Sequence, residues 1–141
     1  MRAPACYVQR MVDGRLVEVL RAALASHAEV SLAILFGSRA RGAARADSDV
    51  DVAVAGDVDR LALAAELTRA SGLEVAVIEL GAAGYPLLSA LVADAVLLHE
   101  GVPAAYGAWR SHALSQLDLD RAWFARMRDG YLAKVAAGGA R

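Results

Sequence analysis

Leu35-Phe36-Gly37-Ser38-Arg39-Ala40-Arg41-Gly42, followed by Ser48-Asp49-Val50-Asp51-Val52-Ala53-Val54, is the stretch on which the fold turns. The apolar run from Ser31 to Phe36 halts at Gly37, the pattern of a buried strand that ends in a turn. Glycine at that corner leaves room for a ligand to approach the backbone closely. Downstream, Asp49 opens a second run of strand character. Successive side chains on a strand point to opposite faces, so Asp49 and Asp51 are expected side by side. Two neighbouring carboxylates repel each other unless a cation lies between them. These residues predict a divalent metal site beside a phosphate-sized turn.

On either side of this stretch the periodicity supplies a frame. Val12, Leu16, Val19, Leu20, Ala23, Leu24 and His27 recur at helical spacing and predict an amphipathic first helix, with His27 at its end rather than in a ligand set. A strand over 30–36 follows, then a connector over 39–46 that starts with a short helix, then a strand over 49–55. Asp57 is expected to cap a helix running to Ala70, with Leu61, Ala65 and Thr68 on one face and Ser71-Gly72 as its stop. A third strand spans 73–80. Pro86 suits the first turn of a helix to Asp94, and Val96 to His99 forms a short strand broken by Gly101-Val102-Pro103. The remainder is helical. Trp123, Met127, Tyr131 and Val135 stand four residues apart there, a stripe that serves either core packing or a partner.

The chain of 141 residues is expected to be one domain, with a core over 12–100 and a helical extension over 103–137. An apolar share of 57% with 22% charged residues suits a globular chain. A net charge of −1, with no basic tail or long cationic run, argues against direct nucleic-acid binding. The one cysteine, Cys6, has no partner for an internal disulfide, and no apolar run has the length of a signal peptide or membrane span. A cytoplasmic location is expected. His99 and His112 show no metal-ligand spacing.

Gly37 and Gly42 have the outer spacing of a P-loop, but Ala43-Ala44 stands where Lys-Ser/Thr would be required. A dinucleotide-binding fingerprint is missing as well. What does match is Gly37-Ser38, ten intervening residues, then Asp49-x-Asp51. This resembles the nucleotidyltransferases of the DNA polymerase beta superfamily, and within it the minimal nucleotidyltransferase (MNT) group, whose members are antitoxins of HEPN-domain toxins. The resemblance implies an α/β (α+β) fold with a small mixed β-sheet flanked by helices. It implies Asp49 and Asp51 as catalytic metal ligands, and Gly37, Ser38 and Arg39 as the nucleotide-binding turn. Two Mg2+ ions and ATP would complete the site, with Ser48 in support and Arg41 and Arg45 as further cations near the phosphates.

The activity implied is Mg-dependent transfer of AMP from ATP to a tyrosine hydroxyl of a HEPN-type ribonuclease toxin. One departure from the superfamily stands out. Its third acidic residue aligns with Ala76 in Val75-Ala76-Val77-Ile78-Glu79-Leu80. Strand alternation sets Glu74 on the face of Ala76 and Glu79 on the opposite one. Either glutamate substitutes, or neither does and the protein is a weak or inactive enzyme that neutralises its toxin by binding alone. A small-molecule nucleotidyltransferase is the remaining alternative, though the chain has little room for the second domain such enzymes use.

Overall fold

The computed structural model describes residues 12–138. Helix α1 (Gly14–Leu24) begins at Asp13, whose Oδ1 accepts from the N–H groups of Arg15 and Leu16 at 3.0 and 3.4 Å. Strand β1 (Val30–Phe36) leads through Gly37 into the single turn α2 (Ser38–Arg41). Then come β2 (Val50–Gly56), α3 (Arg60–Ser71), β3 (Val75–Glu79), a 3-10 turn (Leu80–Ala82), α4 (Tyr85–Asp94), β4 (Val96–Glu100) and α5 (Ala105–Ala136). The sheet order is β3-β2-β1-β4, with β2 and β3 parallel and β1 antiparallel to both β2 and β4. The crossover that parallel strands need is α3. This is the mixed sheet with flanking helices that the sequence implies.

Alternation sorts β2 and, from Leu32 onward, β1; a register shift between Val30 and Leu32 puts Val30 on the side of Ala33 and Leu35. Val50, Val52 and Val54 of β2 pack with Leu16, Leu20 and Leu24 of α1 and Leu63 and Leu67 of α3. On the other face Leu32, Ile34, Phe36 and Ala53 pack with Leu80 and Leu91. A third cluster, Leu88 with Ala113 and Leu117, joins α4 to the first half of α5. Leu20 and Leu24 are completely buried, and truncating either to alanine costs about 2–5 kcal/mol.

Two expectations are corrected around α3. The cap is Asp59 rather than Asp57: Asp59 Oδ1 accepts from Leu61 and Ala62 N–H, both at 3.1 Å. The buried face is Leu63 and Leu67, leaving Leu61 85% exposed. An alanine-rich helix offers two apolar stripes of similar strength, and the sheet chooses the one carrying two leucines. His27 lies beyond the end of α1 and bridges two carboxylates, Glu29 at 2.7 Å and Glu66 of α3 at 2.8 Å.

The entry to β1 is enclosed by glycines on both sides. A methyl group at Gly56 would overlap the Glu29 carbonyl, and one at Gly101 the Val30 carbonyl. At Gly56, φ of +129° also disfavours any side chain. No helix among the described residues is long and apolar enough to cross a membrane.

Candidate active site

Gly37 sits where β1 ends, with φ of +80°, a conformation that glycine adopts without steric cost. Its carbonyl accepts from the N–H groups of Ala40 and Arg41, both at 3.1 Å, which closes α2 directly after the corner. Antiparallel register places Phe36 opposite Asp51, so the corner lies against the start of β2. A Cβ on Gly37 would stand 2.6 Å from Asp51 Oδ2. The turn and the carboxylate are therefore in direct contact, and the missing side chain is what admits them both.

Asp51 is half-buried and belongs to β2; Asp49 is exposed and lies just before the strand. Burial raises the affinity of the Asp51 carboxylate for its proton, the negative charge of Asp49 raises it further, and the Arg41 guanidinium works against both. Two coupled carboxylates, one of them partly stripped of water, form a hard-oxygen donor set of the kind that suits magnesium. The donor set is short, however. Among the described residues no group of three His, Cys, Asp or Glu side chains is arranged to hold a metal ion.

The parallel register of β2 and β3 sets Ala76 directly beside Asp51. Glu79 lies on the opposite face from Ala76 and meets Arg60 of α3 at 3.3 Å. Glu74 is exposed and precedes β3; its backbone carbonyl accepts from Val50 N–H at 2.8 Å, tying the two strand entries together.

The arginines of the connector divide their work in a way that sequence reasoning missed. Arg39 turns back on its own loop: Nη2 donates to Ser48 O at 2.8 Å and Ala46 O at 3.3 Å, and Nε donates to Ser48 O at 3.2 Å. Ser48 Oγ accepts from Arg45 N–H at 2.8 Å. Arg39 and Ser48 thus fold the connector and fix the backbone that delivers Asp49. Arg41 instead reaches across to Asp94 at the end of α4, Nη1 to Oδ2 at 2.7 Å, while its charge acts on Asp51. Asp94 is only 11% exposed. Its role depends on a contact 53 residues away in the chain, and no local pattern announces it.

A family model described as "Polymerase beta, Nucleotidyltransferase" matches residues 18–101. The chain belongs to this nucleotidyltransferase family. The matched residues run from α1 to the end of β4 and include Gly37, Asp49 and Asp51. No curated protein matches by sequence. Among solved structures, the nucleotidyltransferase resembles a chain of a toxin–antitoxin complex crystallised with AMP-PNP, with a TM-score of 0.69 and 22% identity, covering 82% of this chain and 98% of that one. It also resembles a chain of an MNT antitoxin complex with a tri-AMPylated HEPN toxin from Shewanella oneidensis, with a TM-score of 0.59 and 20% identity, covering 89% of this chain and 98% of that one. A third is from a toxin–antitoxin variant with two aspartates changed to glutamate, with a TM-score of 0.65 and 21% identity, covering 84% and 96% of the two chains. At these identities the likeness is one of fold.

Proposed function

We propose that this nucleotidyltransferase is an MNT antitoxin that transfers AMP from ATP to a tyrosine hydroxyl of a HEPN-type toxin in a magnesium-dependent reaction. The observation that carries this reading is the contact between the Gly37 corner and Asp51, which leaves no room for a side chain between a phosphate-sized turn and a metal-binding carboxylate. The fold shared with a chain of a toxin–antitoxin complex with AMP-PNP, and with a chain of an MNT antitoxin complex whose HEPN toxin is tri-AMPylated, supports the choice of nucleotide and acceptor.

In this reading the tyrosine oxygen forms a bond to the α-phosphorus of ATP, the bond to the β-phosphate oxygen breaks, and pyrophosphate leaves. The hydroxyl proton passes to solvent or to a base on the toxin. Asp49 and Asp51 would hold magnesium, which when bound neutralises charge on the phosphates and lowers the pKa of a coordinated oxygen. The backbone of Gly37 and Ser38 positions the β- and γ-phosphates, and Arg39 contributes by holding the connector in shape. Arg41, held by Asp94, is the connector cation whose charge reaches Asp51, and it would stand near the triphosphate. Positioning and electrostatics supply most of the catalysis in phosphoryl transfer, so a site of this kind works without a strong base.

A second reading, neutralisation by binding alone, is favoured by one observation: a methyl group at Ala76 beside Asp51, with Glu79 committed to Arg60 on the other face. The test separates the two. The chain is incubated with its cognate toxin, ATP and magnesium, and the toxin is weighed by mass spectrometry. Addition of one or more adenylyl groups to tyrosine is expected. An unmodified toxin whose activity is nevertheless suppressed in a stoichiometric complex would establish masking instead.

A further inference from the structure

Helix α5 is a single span of 32 residues, about 48 Å long. Its first half is buried through Ala113 and Leu117 against Leu88 of α4. The last ring contact with α4 is Phe124 on Tyr85, with centroids 4.9 Å apart. Beyond it the same face continues for about 18 Å without cover from the domain. Along that stretch Met127 is 56% exposed, Tyr131 67% and Val135 39%, and Trp123, just before it, is 48% exposed. The family model ends at residue 101, before this helix begins.

Charge placement on this face selects its occupant. Asp120 and Lys134 share one line of the helix with Met127, each seven residues from it and on opposite sides. Among the described residues neither Asp120 nor Lys134 has an ion-pair partner. An antiparallel copy of the helix with its two-fold axis at Met127 sets Asp120 beside Lys134 of the other copy, twice. The same axis sets Trp123 beside Tyr131 of the other copy, again twice. A surface whose opposite charges and large apolar groups are both arranged symmetrically about one residue is complementary to itself, as an isologous interface requires.

We propose that the exposed half of α5 is a dimerisation surface on which two copies of this chain pair antiparallel about Met127. The assembly holds the two nucleotidyltransferase sites on separate domains joined by the crossed helices.

Sedimentation of the full chain over a range of concentrations tests this. The wild type is expected to show a monomer–dimer equilibrium, and Met127→Asp to sediment as a folded monomer with unchanged circular dichroism. Asp120→Lys and Lys134→Asp should each weaken the dimer about tenfold or more by setting like charges together. The double exchange Asp120→Lys/Lys134→Asp should return affinity to within about threefold of wild type, because the pairs are restored with reversed sign. In a Cys6→Ser background, Met127→Cys should form a disulfide-linked dimer under mild oxidation. Tyr131→Cys should not, since its two copies lie about 12 Å apart along the axis. A wild type that stays monomeric at all concentrations overturns the proposal, as does a double exchange no better than the single ones. Equal cross-linking of the two cysteine variants overturns the register. A face protected only when a different protein is added assigns it to that protein instead.

Discussion

Strands β2 and β3 run side by side in parallel, and in the row where Asp51 faces Ala76 they differ in the one property that matters for chemistry. Both positions lie on the same face, near the same end of the sheet, and Ala76 is the more exposed of the two. Only β2 carries an acidic side chain there. The two strands show that the sheet makes a place for a group without committing to its charge. In the absence of a cation, every carboxylate added to this corner increases repulsion, and Asp51 already bears that cost through burial and its neighbour Asp49. The methyl group of Ala76 adds no repulsion to this corner and no ligand to the candidate site.

Removing the charge from β2 should have the largest effect. Asp51→Asn is expected to lower AMP transfer by about 10³-fold, measured as adenylylated toxin per unit time. The same change should raise the melting temperature of the metal-free protein at neutral pH. The sign follows from the direction of the shift. A carboxyl whose pKa is raised by folding stabilises the fold only when protonated, and that contribution is lost as pH rises through its folded value. A lower melting temperature for Asp51→Asn at pH 7 would show that the carboxylate is structural.

Crowding the same carboxylate should come next. Gly37→Ala meets Asp51 Oδ2 and demands a positive φ from alanine. A loss of about 10²-fold in transfer is expected, together with about 1–3 kcal/mol of stability by chemical denaturation. Full activity in this variant would mean that the corner does not approach the nucleotide.

Making β3 resemble β2 is the gentler experiment. Ala76→Asp should raise transfer by about tenfold or more, because a positioned base contributes about 10²–10⁴-fold in favourable geometry and this one would be added without a supporting shell. The apo melting temperature should fall and be recovered by magnesium. An unchanged rate would place proton removal on the toxin.

The smallest expected effect concerns α3, which carries the chain from β2 to β3. His27 binds Glu66 of that helix and Glu29, and these bonds raise its pKa above the ordinary 6.5, the contact with Glu66 contributing most. The resulting stability is fully present below the unfolded value and disappears as pH rises through the higher folded one. His27→Gln should therefore lower the melting temperature by about 1–3 °C at pH 6 and leave it unchanged well above the folded value. A difference independent of pH would point to packing rather than charge.

How far the sequence alone reaches depends on the range of each interaction. Strands β1 and β2 can be read from 30–36 and 49–55 because alternation and the Gly37 break are properties of adjacent residues. Ala76 is singled out only by the resemblance, as the residue in the third acidic position, and its place beside Asp51 comes from the parallel register of β2 and β3. The cap of α3 cannot be read locally: Asp57 and Asp59 are equally able to accept from a helix start, and only the packing of Leu63 and Leu67 decides between them. Arg39 and Arg41 are likewise indistinguishable as residues of one loop. Their partners, Ser48 in the same connector and Asp94 at the end of α4, separate a loop clamp from a cation near Asp51. The stripe on α5 has the same periodicity over its covered and uncovered halves, so where the cover stops is a property of α4, not of the stripe.

The pair of glycines at the entry of β1 has a consequence at the other end of that strand. Gly56 and Gly101 let the Glu29 and Val30 carbonyls approach where a Cβ would overlap them, so a slip of β1 that set a residue with a side chain against either carbonyl would meet a clash. A slip of one residue would turn every side chain of the strand to the wrong face. It would also carry Gly37 away from Asp51, since strand and corner move as one piece. The candidate corner is thus aligned by the stretch of β1 that pairs without interruption against β2 from Leu32 to Phe36, beyond the register shift that follows Val30, so that the last rung of the ladder carries Gly37 to Asp51.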